Sequence, residues 1–214
     1  MATSLRPRLV LASASPARHK LLQAAGITPQ VLVSGVDEEA VTLDRADELC
    51  LELARRKMAA VADRLRPDLA DDGTDLLVLG CDSVLDFDGE ILGKPADAAD
   101  ATARWRRMRG RSGVLYTGHA LTSLATGGYA GAAAATVVHF AEVTDDEIAA
   151  YVATGEPLQV AGSFTIDGLG GPFLERIEGD HGTVVGLSLP LLRRLVTEVG
   201  YRITDLWGEP DTGR

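Results

Sequence analysis

The chain has 214 residues, 21 of them basic and 31 acidic, giving a formal net charge of −10 at pH 7. That balance excludes an extended nucleic-acid surface, because phosphate backbones are held by dense Lys/Arg arrays; a small anionic substrate still fits if a few cations share one cleft. Apolar residues make up 46% of the chain, ample for one large α/β domain or two small lobes.

In chain order, residues 8–13 (RLVLAS) read as a buried strand. Ser15 and Pro16 then open a helix, as a favoured N-cap and a favoured first helical residue. Gly26 stops that helix, and a second strand covers 29–33. The longest helical pattern runs from Asp44 to Leu65, with Leu51, Ala54, Met58, Val61 and Leu65 on one apolar face. A polar turn at 66–74 precedes 76–85 (LLVLGCDSVL), a strand apolar on both faces except at Asp82 and Ser83. Asp88 and Gly89 turn the chain into 90–95, a helix follows over 97–109, and strands are predicted near 113–124 and 130–142. Thr144 is placed to cap a helix over 145–154. The glycine-rich 166–171 (IDGLGG) leads to a last strand and a C-terminal helix striped by Leu192, Leu195, Val196 and Val199. Residues 205–214 are polar and expected to fray. Interleaved strands and helices predict an α/β fold with a mixed sheet and flanking helices.

No stretch approaches the roughly eighteen uncharged apolar residues of a membrane span, and Met1 to Arg8 lacks the apolar region of a signal peptide. Cys50 and Cys81 have no metal-ligand spacing and read as buried free thiols in a reducing compartment. A cytoplasmic location is therefore expected, with no membrane and no nucleic acid among the partners.

Two segments could carry chemistry. In LVLASASPARHKLL a helix entered through small residues presents free N–H groups and a positive dipole end. Ser13 and Ser15 add hydroxyls, and Arg18 shares the stripe of Leu21 and Leu22. Arg18 either meets an anion there or snorkels from an ordinary capped helix. Asp82 interrupts an apolar strand, where a carboxylate is paired, protonated or metal-bound, unless it merely caps a strand end. Lysine occurs only at Lys20, Lys57 and Lys94. With Arg18, Lys57 and Lys94 could surround one anion, leaving Glu38 and Asp82 to hold Mg²⁺ or Mn²⁺ through hard oxygens. Gly168 to Gly171 is too short for a dinucleotide fingerprint and reads as a tight turn approaching a ligand. His19, His119, His139 and His181 have no zinc-like spacing and read as structural.

LASASPARHKLL, GVDE, ARRKM, GCDSV, GKP, YTGHAL, EPLQVAGSFTIDGLGG and GDHGTVVGL occur in an order that resembles the Maf family, over about residues 8–196. That family comprises nucleoside triphosphate pyrophosphatases historically linked to septum formation. The resemblance implies a single domain over 1–204, two lobes around a cleft, similar to the inosine-triphosphate pyrophosphatases. It carries Ser13, Ser15, Arg18, Lys57 and Lys94 into triphosphate binding, Glu38 into metal binding and Asp82 into the role of general base, metal ligand or both. Ala17, Asp167 and Ser188 depart from the family pattern; Asp167, expected among the substrate-binding residues, stands where some members carry a glutamine near the base. AGSF and YTGHAL look closer to the 7-methyl-GTP branch than to the dTTP/UTP branch, and base preference stays open. The implied activity is metal-dependent hydrolysis between the α and β phosphates, on ordinary or modified nucleotides, in a house-cleaning role. The alternative is a nucleotide-binding regulator of cell division with little turnover. The resemblance also suggests a homodimer.

Overall fold

The computed structural model describes residues 6–38, 40–66 and 73–208. Most of the polar turn expected at 66–74 therefore lies outside the described residues, as does the end of the chain from 209.

The described strands form one seven-stranded mixed sheet. β1 (Arg6–Leu11) pairs in parallel with β2 (Gln30–Val31) and with β3 (Thr74–Phe87). Along its other edge β3 runs antiparallel to β5 (Ser112–Ser123), which pairs with β6 (Tyr129–Phe140), which pairs with β7 (Leu174–Glu178). β4 (Glu90–Leu92) folds back on the end of β3 through the turn at Asp88 and Gly89. Both turn residues have positive φ, which is why a short polar residue and a glycine occupy it.

The period-2 alternation of β3 sorts its side chains onto two faces. Val78, Gly80, Asp82 and Val84 face α2 (Ala46–Leu65), whereas Leu77, Leu79 and Cys81 enter a core with Leu22, Leu192 and Val196. Farther along that second face, Leu85 and Phe87 join a separate core around Trp105, Phe140, Tyr151 and Phe164. Ser83 falls between the two, so the cores of two lobes are divided by a polar position on one strand. The first lobe carries α1 (Pro16–Ala24) and α6 (Leu189–Glu198), and the second carries α3 (Ala98–Met108) and α4 (Asp145–Ala153).

Helix α2 crosses β3 and β5 at backbone distance. A Cβ on Gly80 would stand 2.1 Å from the Ala54 carbonyl, and one on Gly118 would stand 2.2 Å from that of Cys50. Gly118 is the register partner of Asp82. Glycine at these strand positions is thus required by close approach of another backbone.

Two differences from the expected layout have simple causes. The tail does not fray at 205, because Leu206 is buried, Ile203–Leu206 form a 3₁₀ helix, and Trp207 bridges to Ile27. A short α5 (His181–Val185) was not legible from periodicity; Asp180 caps its start and left-handed Gly186 ends it. Cys50 and Cys81 are buried free thiols, as expected.

Fully buried His119 ties β5 to the start of α6. Its Nδ1 bonds the Thr117 carbonyl at 3.0 Å, and its Nε2 accepts the backbone N–H of Ser188 at 2.8 Å. Burial, with Arg18 nearby, pushes its pKa down to about 4 despite the Thr117 carbonyl.

Gly118→Ala is expected to lower stability by about 3 kcal/mol through overpacking, read as a drop in the urea midpoint. An unshifted midpoint would contradict the backbone contact. His119 predicts a second effect: the unfolded chain takes up its proton below pH ~6.5, the folded chain only near pH 4. Stability should therefore fall between those values as pH drops, by about 3 kcal/mol from this residue. His119→Gln should lose that part of the slope in urea titrations at pH 7, 5.5 and 4.5; equal slopes would exclude a neutral, buried His119.

Candidate functional site

The two strands on the free edge of β3 do not meet. β1 covers Thr74 to Leu79 and β4 covers Leu85 to Phe87, so Gly80 to Val84 lack a neighbouring strand on that side. A cleft of about 1150 Å³ opens at this gap, lined by all eight residues singled out from the sequence: Ser13, Ser15, Arg18, Glu38, Lys57, Asp82, Lys94 and Asp167.

Asp82 sits mid-gap on the α2 face and is only 5% exposed. Burying a carboxylate there requires a partner, and α2 supplies Lys57, itself 7% exposed. Its Nζ lies 2.5 Å from Asp82 Oδ1 and 2.6 Å from Glu38 Oε1. The close helix–sheet approach at Gly80 and Gly118 gives the lysine this reach. Neighbouring Arg56 faces away and pairs with Glu52. The environments separate the two carboxylates. Burial drives Asp82 up, and Lys57 and Arg18 only partly offset it, so its pKa is raised. Glu38 also pays for burial, but its bond and attraction to Lys57, with Lys94 and Arg18 beyond, hold its pKa below the usual range.

The entry to α1 is built as the sequence suggests. Ser15 caps the helix by accepting the Arg18 N–H at 3.4 Å, and Ser13 Oγ accepts the Ser15 N–H at 3.1 Å. Arg18 does not snorkel. Its Nε donates to the Gly186 carbonyl at 2.6 Å, Nη1 to Ser13 Oγ and the Cys81 carbonyl, and Nη2 to Ser83 Oγ. The Cys81 carbonyl belongs to the gap, so the guanidinium replaces a missing ladder partner. The guanidinium therefore ties three segments of the cleft wall together while leaving its charge there.

The remaining wall runs from Gln159 to Asp167 and includes Phe164 and Thr165. Exposed Asp167 is its only charged residue. No group of three or more His, Cys, Asp or Glu suited to a metal occurs among the described residues, and no described helix is long and apolar enough to cross a membrane.

The family described as Maf-like protein matches residues 8–199. The chain belongs to the Maf family. It is 71% identical, over 97% of its length and 90% of the relative's, to a nucleoside triphosphate pyrophosphatase of Salinispora tropica. A protein of the same name from Streptomyces coelicolor is 60% identical over 94% of this chain and 95% of its own. Among solved structures, a nucleoside-triphosphatase / dITP/XTP pyrophosphatase from Mycobacterium abscessus aligns with 64% of this chain and 75% of its own, at 13% identity and a TM-score of 0.35.

Sequence reasoning missed several parts of this Maf cleft. The 33–43 segment contributes more than Glu38, with Ser34, Val36, Asp37 and Thr42 also on the lining. Val36 and Asp37 fall within the GVDE motif, but no periodicity assigns any of the four a place on the cleft. Val184 and Val185, from the overlooked α5, are lining residues as well. The reading of Gly168 to Gly171 as a turn approaching a ligand needs correction. A Cβ on Gly168 would stand 2.6 Å from Glu156 Oε2, so the close approach is to a side chain of the protein.

Arg18→Lys keeps the charge but loses the planar fork. Stranding the Gly186 and Cys81 carbonyls should lower stability by about 2 kcal/mol, measured by urea denaturation. Wild-type stability in the variant would show that these bonds contribute nothing.

Proposed function

We infer that this Maf protein is a metal-dependent nucleoside triphosphate pyrophosphatase, acting on ordinary or modified nucleotides. Water attacks the α phosphorus, the α–β anhydride bond breaks, and the products are a nucleoside monophosphate, pyrophosphate and a proton. The observation that carries this reading is the convergence of a raised and a lowered carboxylate on one cation, inside a cleft with further cations and hydroxyls. The names of the relatives support it.

The donor set suits a divalent cation. Two hard carboxylates reach one Nζ from 2.5 and 2.6 Å, so their oxygens already aim at a common point. Mg²⁺ and Mn²⁺ accept such a pair when phosphate oxygens and water complete the shell. When bound, the ion supplies Lewis-acid charge at the phosphoryl group and lowers the pKa of water.

The side chains divide the rest of the work. Glu38, held ionised, keeps its negative charge toward the cation. Asp82, raised by burial, is the better proton acceptor and takes the proton of the attacking water. Lys94, Arg18 and the Ser13 and Ser15 hydroxyls meet the phosphate oxygens, and Lys57 would join them where a cation takes over its two carboxylates. Most of the acceleration then comes from positioning and charge, as in other phosphoryl transfers.

Asp82→Asn should lower kcat for pyrophosphate release by about 10²–10⁴-fold, with Mg²⁺ or Mn²⁺ present and the circular dichroism spectrum retained. An unchanged kcat would remove Asp82 from the chemistry. Release of orthophosphate in place of pyrophosphate by the wild type would overturn the cleavage site.

A further inference from the structure

Outside the cleft lining, the Glu156 carboxylate collects four hydrogen bonds. Oε1 accepts from the Tyr151 hydroxyl at 3.0 Å, Thr165 Oγ1 at 2.5 Å and the Gly170 N–H at 3.1 Å, and Oε2 accepts from the Leu169 N–H at 3.1 Å. Three of the donors belong to residues 165–170, the loop that carries Asp167 into the cleft. The loop is drawn in more tightly than side chains permit: a Cβ on Gly168 would meet Glu156 Oε2, and one on Gly170 would lie 2.4 Å from the Tyr151 hydroxyl. The other end of the clamp is rigid. Tyr151 packs edge-on against Trp105 and Phe173, with ring centroids 5.5 and 5.4 Å apart, and its hydroxyl also accepts the Thr165 N–H.

The wall so held has the wrong charge for phosphate. From Gln159 to Asp167 it contributes no cation and one carboxylate, whereas Arg18, Lys57 and the α1 entry lie elsewhere on the lining. An ionised carboxylate only accepts hydrogen bonds, so Asp167 suits the N–H groups of a nucleobase and repels a triphosphate.

We propose that Glu156 is a positioning residue that fixes the 165–170 loop, so that Asp167 and Thr165 stand preformed against the nucleoside end of the cleft. It touches no substrate and acts through Asp167. The proposal rests on the nucleotide reading above. Every position around the carboxylate faces a donor, so an amide NH₂ in place of Oε2 meets the Leu169 N–H donor to donor, and Glu156→Gln loosens the loop while keeping side-chain size.

The test compares wild type, Glu156→Gln, Asp167→Asn and the double variant, using a panel of nucleoside triphosphates and inorganic tripolyphosphate as a competitive inhibitor. Glu156→Gln should raise KM for the best substrate about tenfold with kcat within about threefold, the pattern of lost uniform binding. Discrimination among bases should narrow, and the tripolyphosphate inhibition constant should not move, because that ligand meets only the phosphate end. Asp167→Asn leaves the clamp whole and should show the same split without loss of thermal stability. The double variant should be no worse than the worse single one, the non-additivity expected of residues acting as a unit. Additive effects, an unchanged KM in Asp167→Asn, or tripolyphosphate binding that weakens in step with KM would overturn the proposal. Should Glu156→Gln not fold, the Asp167→Asn arm still decides it. A wild type that releases no pyrophosphate defeats the pyrophosphatase reading instead, and dissociation constants for the same ligands then test the loop.

Discussion

The structure depends on one constraint: α2 lies on the backbone of β3 and β5 with nothing between. Gly80 and Gly118 make that possible, since any Cβ there would enter the helix carbonyls. The low seat lets a lysine on the helix reach a carboxylate on the strand below, and burial makes that carboxylate depend on the lysine. Removing the lysine leaves an uncompensated buried carboxylate, which is far more costly than the pair itself is stabilising, whereas without Asp82 the lysine still pairs with Glu38. Such an arrangement is a poor way to hold a fold together and a good way to keep a carboxylate aimed and shielded.

The same economy of backbone explains where the cleft opens. A strand of 14 residues is longer than either neighbour on its free edge. The gap between those neighbours exposes carbonyls and N–H groups that a continuous sheet would pair. Arg18 takes one of those carbonyls, Cys81, and also grips Gly186 and Ser83. A residue read as a candidate phosphate contact is therefore also the bolt between the first lobe and the segment leading into α6. Ser83, which it grips, is the polar position dividing the two cores along β3, so lobe separation and site location have a common origin.

Much of this was legible in the sequence because it breaks a pattern. Asp82 interrupts an apolar run, Arg18 sits on an apolar stripe, and Lys57 lies at the edge of one; each violation marks a side chain pulled inward by a partner. Strand and helix order followed from periodicity for the same reason that it fixes burial. What escaped notice has no period. The lining residues of 33–38 and 41–43, the short α5 and the clamp at Glu156 are specified by side-chain hydrogen bonds and ion pairs that follow no helical or strand spacing. Glu156, followed by Pro157, looks like any loop glutamate. It opens the EPLQVAGSFTIDGLGG motif, yet its role shows only through the glycine cluster at 168–171, whose closeness to something was evident while its partner was not. Apolar Leu206 and Trp207, in an otherwise polar tail, were the overlooked signs that the chain stays docked there.

Charge balance gives the last step. The lining residues carry three cations, Arg18, Lys57 and Lys94, against four carboxylates, Asp37, Glu38, Asp82 and Asp167. Lys57 is committed to two of those carboxylates and Arg18 to the protein's own acceptors. On the proposed function a nucleoside triphosphate adds several more negative charges, so the protein's own groups would leave a deficit around its phosphates. Phosphoryl transfer in general meets that deficit with metal ions bridging the phosphate oxygens. The acidic protein as a whole fits the proposed metal dependence: at −10 overall it offers no long-range attraction to a polyanion, and on that proposal the neutralising charge arrives with the substrate. A carboxylate pair converging on one cation, in a cleft whose carboxylates outnumber its cations, is the feature that would make such an arrival productive.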